Sequence, residues 1–243
     1  MKKKIIIISV STIAAALLIG AAVCLILANK GLLSAYHPQA QAKEGQMKIA
    51  CVGDSITYGF GIDGWKRKNY PAQLQTMLGE GFCVNNYGYS GRTAQSTGDR
   101  PYINEKLYAQ SKAFQPNIVI FMLGSNDSKA YNWNKENFVK EYKALVESYV
   151  NLESKPTVYL MAPLPVFAVD GKVKYDIEQE TIANEIVPLT KEIAEELQLE
   201  CIDLYEIFKG KENLFSDGCH PNAAGAKIIA DTVRMQISKD LIQ

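Results

Sequence analysis

Residues 117–127 read NIVIFMLGSND, a continuous apolar run followed directly by small and polar residues. A run without alternating polar positions is typical of a strand that is buried on both faces. Strands of this kind occur in parallel sheets that helices cover on each side. This stretch therefore predicts a strand of an α/β domain.

Strands and helices alternate on both sides of this stretch. Further strands are predicted at Met47–Val52, Phe82–Asn86, Thr157–Ala162 and Glu200–Leu204. Helices are predicted at Tyr70–Leu78, about Lys135–Leu152, about Ile177–Leu197 with Pro188 inside it, and about Asn222–Ser238. The alternation predicts a three-layer domain over residues 47–243, a parallel sheet with helices on both faces.

Composition excludes several classes of protein. The chain has 243 residues, 47% of them hydrophobic, with 26 Lys and Arg against 26 Asp and Glu. This is ordinary for a globular protein and excludes a disordered chain or a disulfide-rich miniprotein. Residues 1–30 contain four Lys and no acidic residue, so the rest of the chain is mildly acidic. Without an excess of Lys and Arg, no nucleic-acid partner is expected.

The N-terminal residues have the pattern of a membrane segment. Lys2, Lys3 and Lys4 precede an uncharged stretch, residues 5–28. As a helix, this stretch would be about 36 Å long, enough to cross a bilayer core. The Lys cluster favours a cytoplasmic N-terminus. The sequence therefore predicts a single-pass protein of the cell membrane, with a transmembrane helix before the α/β domain.

This interpretation divides the chain into three parts. Residues 1–29 form the cytoplasmic Lys cluster and the transmembrane signal-anchor, residues 30–46 form a linker, and residues 47–243 form an extracytoplasmic domain. A cleaved signal peptide is the first alternative, although the small-x-small site at 40–42 lies far behind the apolar stretch. A lipoprotein processed at Cys24 is the second, although Val23 is large for the position before the cysteine.

Cysteine spacing indicates no metal site. The five cysteines show no C-x-x-C pattern; they are Cys24, Cys51, Cys83, Cys201 and Cys219. Cys51 and Cys201 lie in apolar runs and are predicted to be small core residues. Whether any of them form disulfides is left open.

Four polar clusters stand beside the predicted elements. Three follow strands directly and one precedes the last helix: GDSIT at 53–57, NYGYSGRT at 86–93, GSND at 124–127 and DGCHPN at 217–222. The carboxyl ends of parallel strands meet at one edge of a sheet, where ligands bind in α/β proteins. The first three clusters are therefore expected to lie together, and the fourth can fold over the same edge.

Residues in these clusters suit acyl transfer. A serine hydroxyl is a weak nucleophile until a base removes its proton, and neutral imidazole does this near pH 7. Ser55 would supply the hydroxyl and His220 the base, because the other histidine, His37, lies in the predicted linker. Asp217, three residues before His220, would orient the ring. The reaction also needs donors for an oxyanion, and the candidates are the backbone of Gly91 and the side chain of Asn126.

Each cluster alone is also typical of structure without chemistry. A Gly-Asp-Ser turn is most often a helix N-cap, and Asp-x-x-His and Gly-x-Asn-Asp are common in loops. Asp54 and Asp127 would then only cap or brace their turns. The catalytic interpretation is favoured because four such clusters occur in order, three of them at strand ends.

Taken in order, the four clusters resemble the SGNH subgroup of the GDSL esterases and lipases. The blocks appear as G-D-S-I-T with Ser55 as nucleophile, N-x-x-x-S-G with Gly91 as oxyanion donor, G-x-N-D with Asn126 as donor, and D-x-x-H with Asp217 and His220 as triad acid and base. The resemblance covers about residues 47–240. It implies a flavodoxin-like sheet, ester hydrolysis without a metal or cofactor, and the backbone N–H of Ser55 as the third oxyanion donor.

Neighbouring residues resemble bacterial carbohydrate or sialate-type O-acetylesterases. The similar segments are SGRT at 90–93 and MLGSNDSK at 122–129, with Tyr131 and Trp133 close behind. This resemblance implies a serine esterase that hydrolyses short-chain acyl esters, above all acetyl esters, on a glycan.

Other functions remain alternatives. A lipase, lysophospholipase or thioesterase would act on lipid esters, but the loops between the blocks are polar: Asp63–Asn69, Ser125–Asn137 and Asp170–Asp176. A glycan-binding module without catalysis would not need a nucleophile paired with a base. A nucleotide-binding domain is disfavoured because neither G-x-G-x-x-G nor a P-loop Lys follows the first strand. The oligomeric state is left open.

Overall fold

The predicted parallel sheet is present. The structure, a computed structural model, describes residues 10–33, 36 and 38–238 of the chain. The strands are β1 Met47–Gly53, β2 Phe82–Gly88, β3 Ile118–Met122, β4 Thr157–Ala162 and β5 Glu200–Asp203. All neighbouring pairs are parallel, and their order is β2-β1-β3-β4-β5, as in flavodoxin-like sheets.

Helices cover both faces of this sheet. They are α1 Val10–Asn29, α2 Ser55–Tyr58, α3 Trp65–Lys68, α4 Tyr70–Leu78, α5 Lys106–Ala113, α6 Lys135–Val150, α7 Gln179–Thr181, α8 Val187–Glu196, α9 Leu204–Phe208 and α10 Ala223–Ile237. Helices α4, α9 and α10 pack on one face, and α5, α6 and α8 pack on the other. The three-layer α/β arrangement therefore agrees with the prediction.

Strand β1 separates two apolar cores. Ile49 and Cys51 belong to the core under α4 and α10, whereas Ala50 and Val52 belong to the core under α5 and α6. This follows from the alternation of side chains along a strand. All four side chains are fully buried. Cys201, the other predicted core cysteine, is half-buried.

The long helix predicted over 177–197 is divided. Helix α7 ends at Thr181, a π-helical turn spans Ile182–Ile186, and α8 begins at Val187. Pro188 has no N–H, and in a regular helix its ring clashes with the carbonyl four residues earlier. The wider turn therefore places Pro188 in the first turn of α8, where no donor is needed.

The transmembrane helix predicted over residues 5–28 is wrong. Among the described residues, no helix has both the length and the apolar character that a bilayer span requires. The prediction took the whole uncharged stretch from Ile5 onward as one helix, whereas the helix that the structure describes begins at Val10. Residues 1–9, with the predicted cytoplasmic Lys cluster, lie outside the described residues, and so does His37.

The segment that precedes β1 contacts the domain. The indole N–H of Trp65 donates to the carbonyl of Ala28 at 2.8 Å. The backbone N–H of Ala40 donates to Oδ1 of Asn85 at 2.9 Å, and the amide of Gln39 donates to a carbonyl of β2 at 2.9 Å. The division of the chain at residues 29 and 46, and the location of the domain outside the cytoplasm, stay predictions.

The direction of the chain across the sheet reverses between β1 and β3. Strand β2 lies on one side of β1, and β3, β4 and β5 follow on the other side. Ligands of open parallel sheets bind beyond the carboxyl ends of the strands at such a point. Three of the four polar clusters follow β1, β2 and β3 and therefore lie at this edge.

Candidate active site

Ser55 stands on a tight turn between β1 and α2. It is the first residue of α2, and Asp54 caps this helix by accepting a hydrogen bond from the backbone N–H of Ile56 at 3.0 Å. Gly53 is required for the close approach of the turn to β3, because a Cβ there would lie 2.6 Å from the carbonyl oxygen of Met122. The turn leaves the Ser55 side chain at the wall of a cleft.

His220 connects Ser55 to Asp217. Nε2 of the ring lies 2.9 Å from Oγ of Ser55, and Nδ1 lies 2.8 Å from Oδ2 of Asp217. Oδ1 of Asp217 accepts the backbone N–H groups of Cys219 at 3.0 Å and His220 at 2.8 Å. A carboxylate that holds Nδ1–H leaves Nε2 free to accept a proton. The geometry therefore allows proton transfer from the Ser55 hydroxyl to His220.

The environment of Asp217 keeps its carboxyl group ionised. Burial by itself raises the pKa of this group. The hydrogen bond and charge of His220, together with the backbone N–H groups of Cys219 and His220, outweigh burial and hold the pKa well below its usual value. An ionised acceptor keeps the imidazole ring in one orientation.

The predicted oxyanion donors line the same cleft as Ser55. Gly91 has a φ of 80°, a left-handed conformation that glycine adopts without strain. Nδ2 of Asn126 donates to the carbonyl of Arg92 at 3.2 Å and to Oδ2 of Asp54 at 3.3 Å. Both distances are long for N–H···O hydrogen bonds. The structure thus brings Ser55, Gly91 and Asn126 together with His220.

Two carboxylates are buried beneath the cleft. Asp54 and Asp127 are 1% and 0% exposed, and burial raises the pKa of each to about 6. Asp127 accepts the backbone N–H groups of Ala94 at 2.9 Å and Gln95 at 2.8 Å, which ties the loop after β2 to the loop after β3. Both residues brace turns, and Asp54 in addition contacts Asn126.

The site opens into a cleft of about 450 Å³. This volume is typical of sites for small ligands. Its walls come from the four polar clusters and from residues near them in the fold: Ser55, Ile56, Phe60, Tyr89, Ser90, Gly91, Arg92, Arg100, Ser125, Asn126, Lys129, Val166, Tyr175, Ile177, Cys219 and His220. Within the described part of the chain, no group of His, Cys, Asp and Glu residues could hold a metal ion.

Two aromatic residues beside His220 were not predicted as site residues. The ring centroids of Phe60 and Tyr175 lie 4.6 Å and 5.1 Å from that of His220. The Tyr175 hydroxyl also donates to Oδ2 of Asp217 at 2.8 Å. Tyr175 lies in the polar loop Asp170–Asp176, and no motif in the sequence connects this loop to Asp217. Only the fold shows the contact.

The chain matches a known family over most of its length. Residues 51–228 match the GDSL-like lipase/acylhydrolase family. The chain belongs to this family. The resemblance inferred from the four polar clusters is thereby confirmed, and so, at the level of the family, is the prediction of a carboxylic ester hydrolase. The matched range contains all five candidate site residues.

Individual relatives of this GDSL-type chain differ in length and identity. An acetylxylan esterase of Xylanibacter ruminicola is 36% identical over an aligned length of 214 residues, and the match covers 80% of this chain and 44% of that protein. The chain therefore spans less than half the length of this relative.

Solved structures share the fold. A carbohydrate acetylesterase from Sinorhizobium meliloti has a TM-score of 0.60 at 20% identity and covers 79% of this chain and 100% of its own. A lipase/acylhydrolase from Enterococcus faecalis has a TM-score of 0.62 at 22% identity, covering 80% of this chain and 97% of its own. At such identities the likeness shows the fold alone, and a shared fold does not define the substrate.

Proposed function

We propose that this GDSL-family chain is a serine esterase that removes short acyl groups, above all acetyl, from a carbohydrate. One observation carries the proposal: the hydrogen-bonded series Ser55–His220–Asp217 opens into a cleft that Gly91 and Asn126 also line. A binding module would need neither the nucleophile nor the base in this arrangement.

Catalysis proceeds through an acyl-enzyme. Oγ of Ser55 attacks the ester carbonyl carbon while Nε2 of His220 takes the hydroxyl proton. His220 then gives this proton to the sugar oxygen as the carbon–oxygen bond breaks, and the acyl group remains on Ser55. A water molecule repeats the sequence, with His220 as base, and releases the carboxylic acid. Asp217 stabilises the imidazolium ring in both halves of the reaction.

The oxyanion of the tetrahedral intermediate is held by three donors. The backbone N–H groups of Ser55 and Gly91 donate to no acceptor among the described residues. The amide of Asn126 is held only by long bonds to Arg92 and Asp54. A negative oxygen is a stronger acceptor than a neutral carbonyl, so the amide can exchange its bond to Arg92 for one to the oxyanion.

The proposed substrate class rests on the relatives and on the walls of the cleft. A relative at 36% identity is described as an acetylxylan esterase. Polar and charged side chains, among them Arg92, Arg100, Lys129 and Ser125, stand around the cleft and suit a hydroxylated substrate. A lipid ester would instead require an extended apolar channel.

Hydrolysis assays with the full chain test this function. We expect kcat/KM to fall steeply from aryl acetate to butyrate to octanoate, and acetate to be released from acetylated xylo-oligosaccharides. Ser55→Ala should abolish both activities, whereas Ser96→Ala, which changes an exposed serine outside the cleft, should retain them. Turnover of octanoate equal to that of acetate would assign the site to lipid esters instead.

A further inference from the structure

Lys129 is a buried cation in the wall of the cleft. It lies three residues after Asn126 and is only 8% exposed. No carboxylate of the described residues forms an ion pair with it. Lysines this buried are rarely without a partner, because removing a charge from water is costly. The position of Lys129 therefore indicates a partner that binds in the cleft.

The two other cations of the cleft differ from Lys129. Nε of Arg92 lies 2.7 Å from a carboxylate oxygen of Glu105, and its guanidinium group lies 3.9 Å from the ring centroid of Tyr89. Arg100 has a side chain that is 64% exposed and lies 3.9 Å from Asp99. Arg92 is therefore paired and Arg100 is exposed, whereas Lys129 is buried and forms no ion pair among the described residues.

Acidic groups near the cleft do not neutralise Lys129 by contact. Burial raises the pKa of Asp54 to about 6, and the charge of Lys129 acts against this rise from a distance. The oxygens of Asp54 already accept hydrogen bonds from the backbone of Ile56 and the amide of Asn126. Asp217 is already hydrogen-bonded to the ring of His220. An incoming anion therefore has no rival carboxylate to displace from Lys129.

Tyr131 adds an aromatic surface beside this charge. Its side chain is 63% exposed, and Nζ of Lys129 lies 5.8 Å from the centre of its ring. The face of an aromatic ring is electron-rich and attracts the weakly positive C–H groups on one face of a sugar ring. A cation next to an exposed aromatic face thus suits a sugar that carries a negative charge.

We propose that Lys129 and Tyr131 form a subsite for a carboxylate-bearing sugar unit adjacent to the acetylated unit. The proposal rests on the esterase function and specifies its substrate as an acidic, O-acetylated glycan of the uronic-acid type. The sugar ring packs on Tyr131 and its carboxylate pairs with the ammonium group of Lys129. A charge-assisted hydrogen bond in a partly dry cleft is stronger than the same bond in water.

A pair of matched substrates tests this subsite with the full chain. Two acetylated xylo-oligosaccharides differ only in one substituent, a glucuronic acid or its carboxyl-reduced glucose counterpart. Acetate release measures kcat/KM for each. We expect the acidic substrate to be favoured about tenfold, and this ratio to shrink between about 0.05 and 0.5 M NaCl because salt screens the charge pair.

Variants locate the source of the preference. Lys129→Met retains the length of the side chain without its charge and should bring the acidic-to-neutral ratio close to one, whereas Lys129→Arg should retain most of it. Tyr131→Ala should raise KM for both glycans. Lys140→Met, a matched change of an exposed lysine on α6, should leave the ratio as it is.

The outcomes separate this proposal from the esterase function. Equal kcat/KM for the two glycans, or a ratio that survives Lys129→Met, overturns the subsite and leaves the esterase intact. Failure to release acetate from aryl acetate and from both glycans overturns the esterase and the subsite with it. If Lys129→Met does not fold, the ratio of the unmodified protein and its salt dependence decide the question.

Discussion

The candidate site has two halves that differ in the length of their hydrogen bonds. The triad half consists of Ser55, His220 and Asp217, and the oxyanion half consists of Gly91, Asn126 and the backbone N–H of Ser55. In the triad half, His220 lies 2.9 Å from Ser55 and 2.8 Å from Asp217. In the oxyanion half, the amide of Asn126 is held at 3.2 Å and 3.3 Å. The groups proposed to transfer the proton are thus already in hydrogen-bond contact, whereas the proposed oxyanion donor has long bonds that it can exchange.

Carboxylates of the two halves also differ in their pKa shifts. Hydrogen bonds and the charge of His220 lower the pKa of Asp217 against the effect of burial, whereas burial raises the pKa values of Asp54 and Asp127 to about 6. All three are aspartates near one cleft. The comparison shows that the neighbours of a carboxyl group, rather than its type, determine its charge.

Breaking the triad half should give the largest effect. We expect Ser55→Ala and His220→Ala each to lower kcat by about 10³–10⁶-fold, and the double variant to lose no more than either single one, because the two groups act as a unit. Single-turnover and steady-state hydrolysis of an aryl acetate measure this. Losses that multiply in the double variant would show that the two residues act independently.

Removing a donor of the oxyanion half should lower kcat less than removing a triad residue does. Asn126→Ala removes one of three donors and should lower kcat by about 10²–10³-fold with KM nearly unchanged, because the donor acts mainly on the transition state. Steady-state kinetics on an aryl acetate separate the two constants. A loss confined to KM would mean that Asn126 binds substrate instead of stabilising the oxyanion.

Loosening the triad half without breaking it should give a smaller change. Tyr175→Phe removes one hydrogen bond to Asp217, a bond worth about 1 kcal/mol, so kcat should fall by about 2–10-fold. Tyr108→Phe is the matched control, since that hydroxyl donates to Ser148 at 3.1 Å, away from the cleft. Equal effects of both substitutions would contradict a role of Tyr175 in holding Asp217.

We expect the smallest effect in the pH dependence of the free energy of unfolding. Asp127 has a folded pKa of about 6, and an unfolded aspartate has one of about 3.9. The proton is bound more tightly in the folded state, so this contribution to stability is present below about pH 4 and is lost as the pH rises through about 6. Asp127→Asn should therefore destabilise the protein more at pH 4 than at pH 7 in urea unfolding.

The pH dependence of stability expected from Asp217 has the opposite sign. Its folded pKa lies below the unfolded value, so its contribution to stability is present above about pH 4 and is lost as the pH falls further. The cost of Asp217→Asn should be largest at neutral pH. Parallel pH dependences for the two variants would contradict the contrast between the two halves of the site.

Local patterns in the sequence predict much of the fold and of the candidate site. The apolar run at 117–123 predicts a buried strand, and β3 lies there with every residue buried. Small and polar residues directly after three strands predict where a site would form. These inferences succeed because the alternation of side chains and the chemistry of turns depend on a few neighbouring residues.

These local patterns do not contain the packing between residues that are distant in the sequence. Ser55 and His220 are 165 positions apart, and Tyr175 and Asp217 are 42 positions apart. The distances between these groups, the burial that raises the pKa values of Asp54 and Asp127, and the burial of Lys129 in the cleft wall arise only when the strands and loops are brought together. The segment at 5–28 illustrates this limit of sequence patterns. Its composition shows that it is hydrophobic, but composition does not define where a helix begins or what the helix contacts.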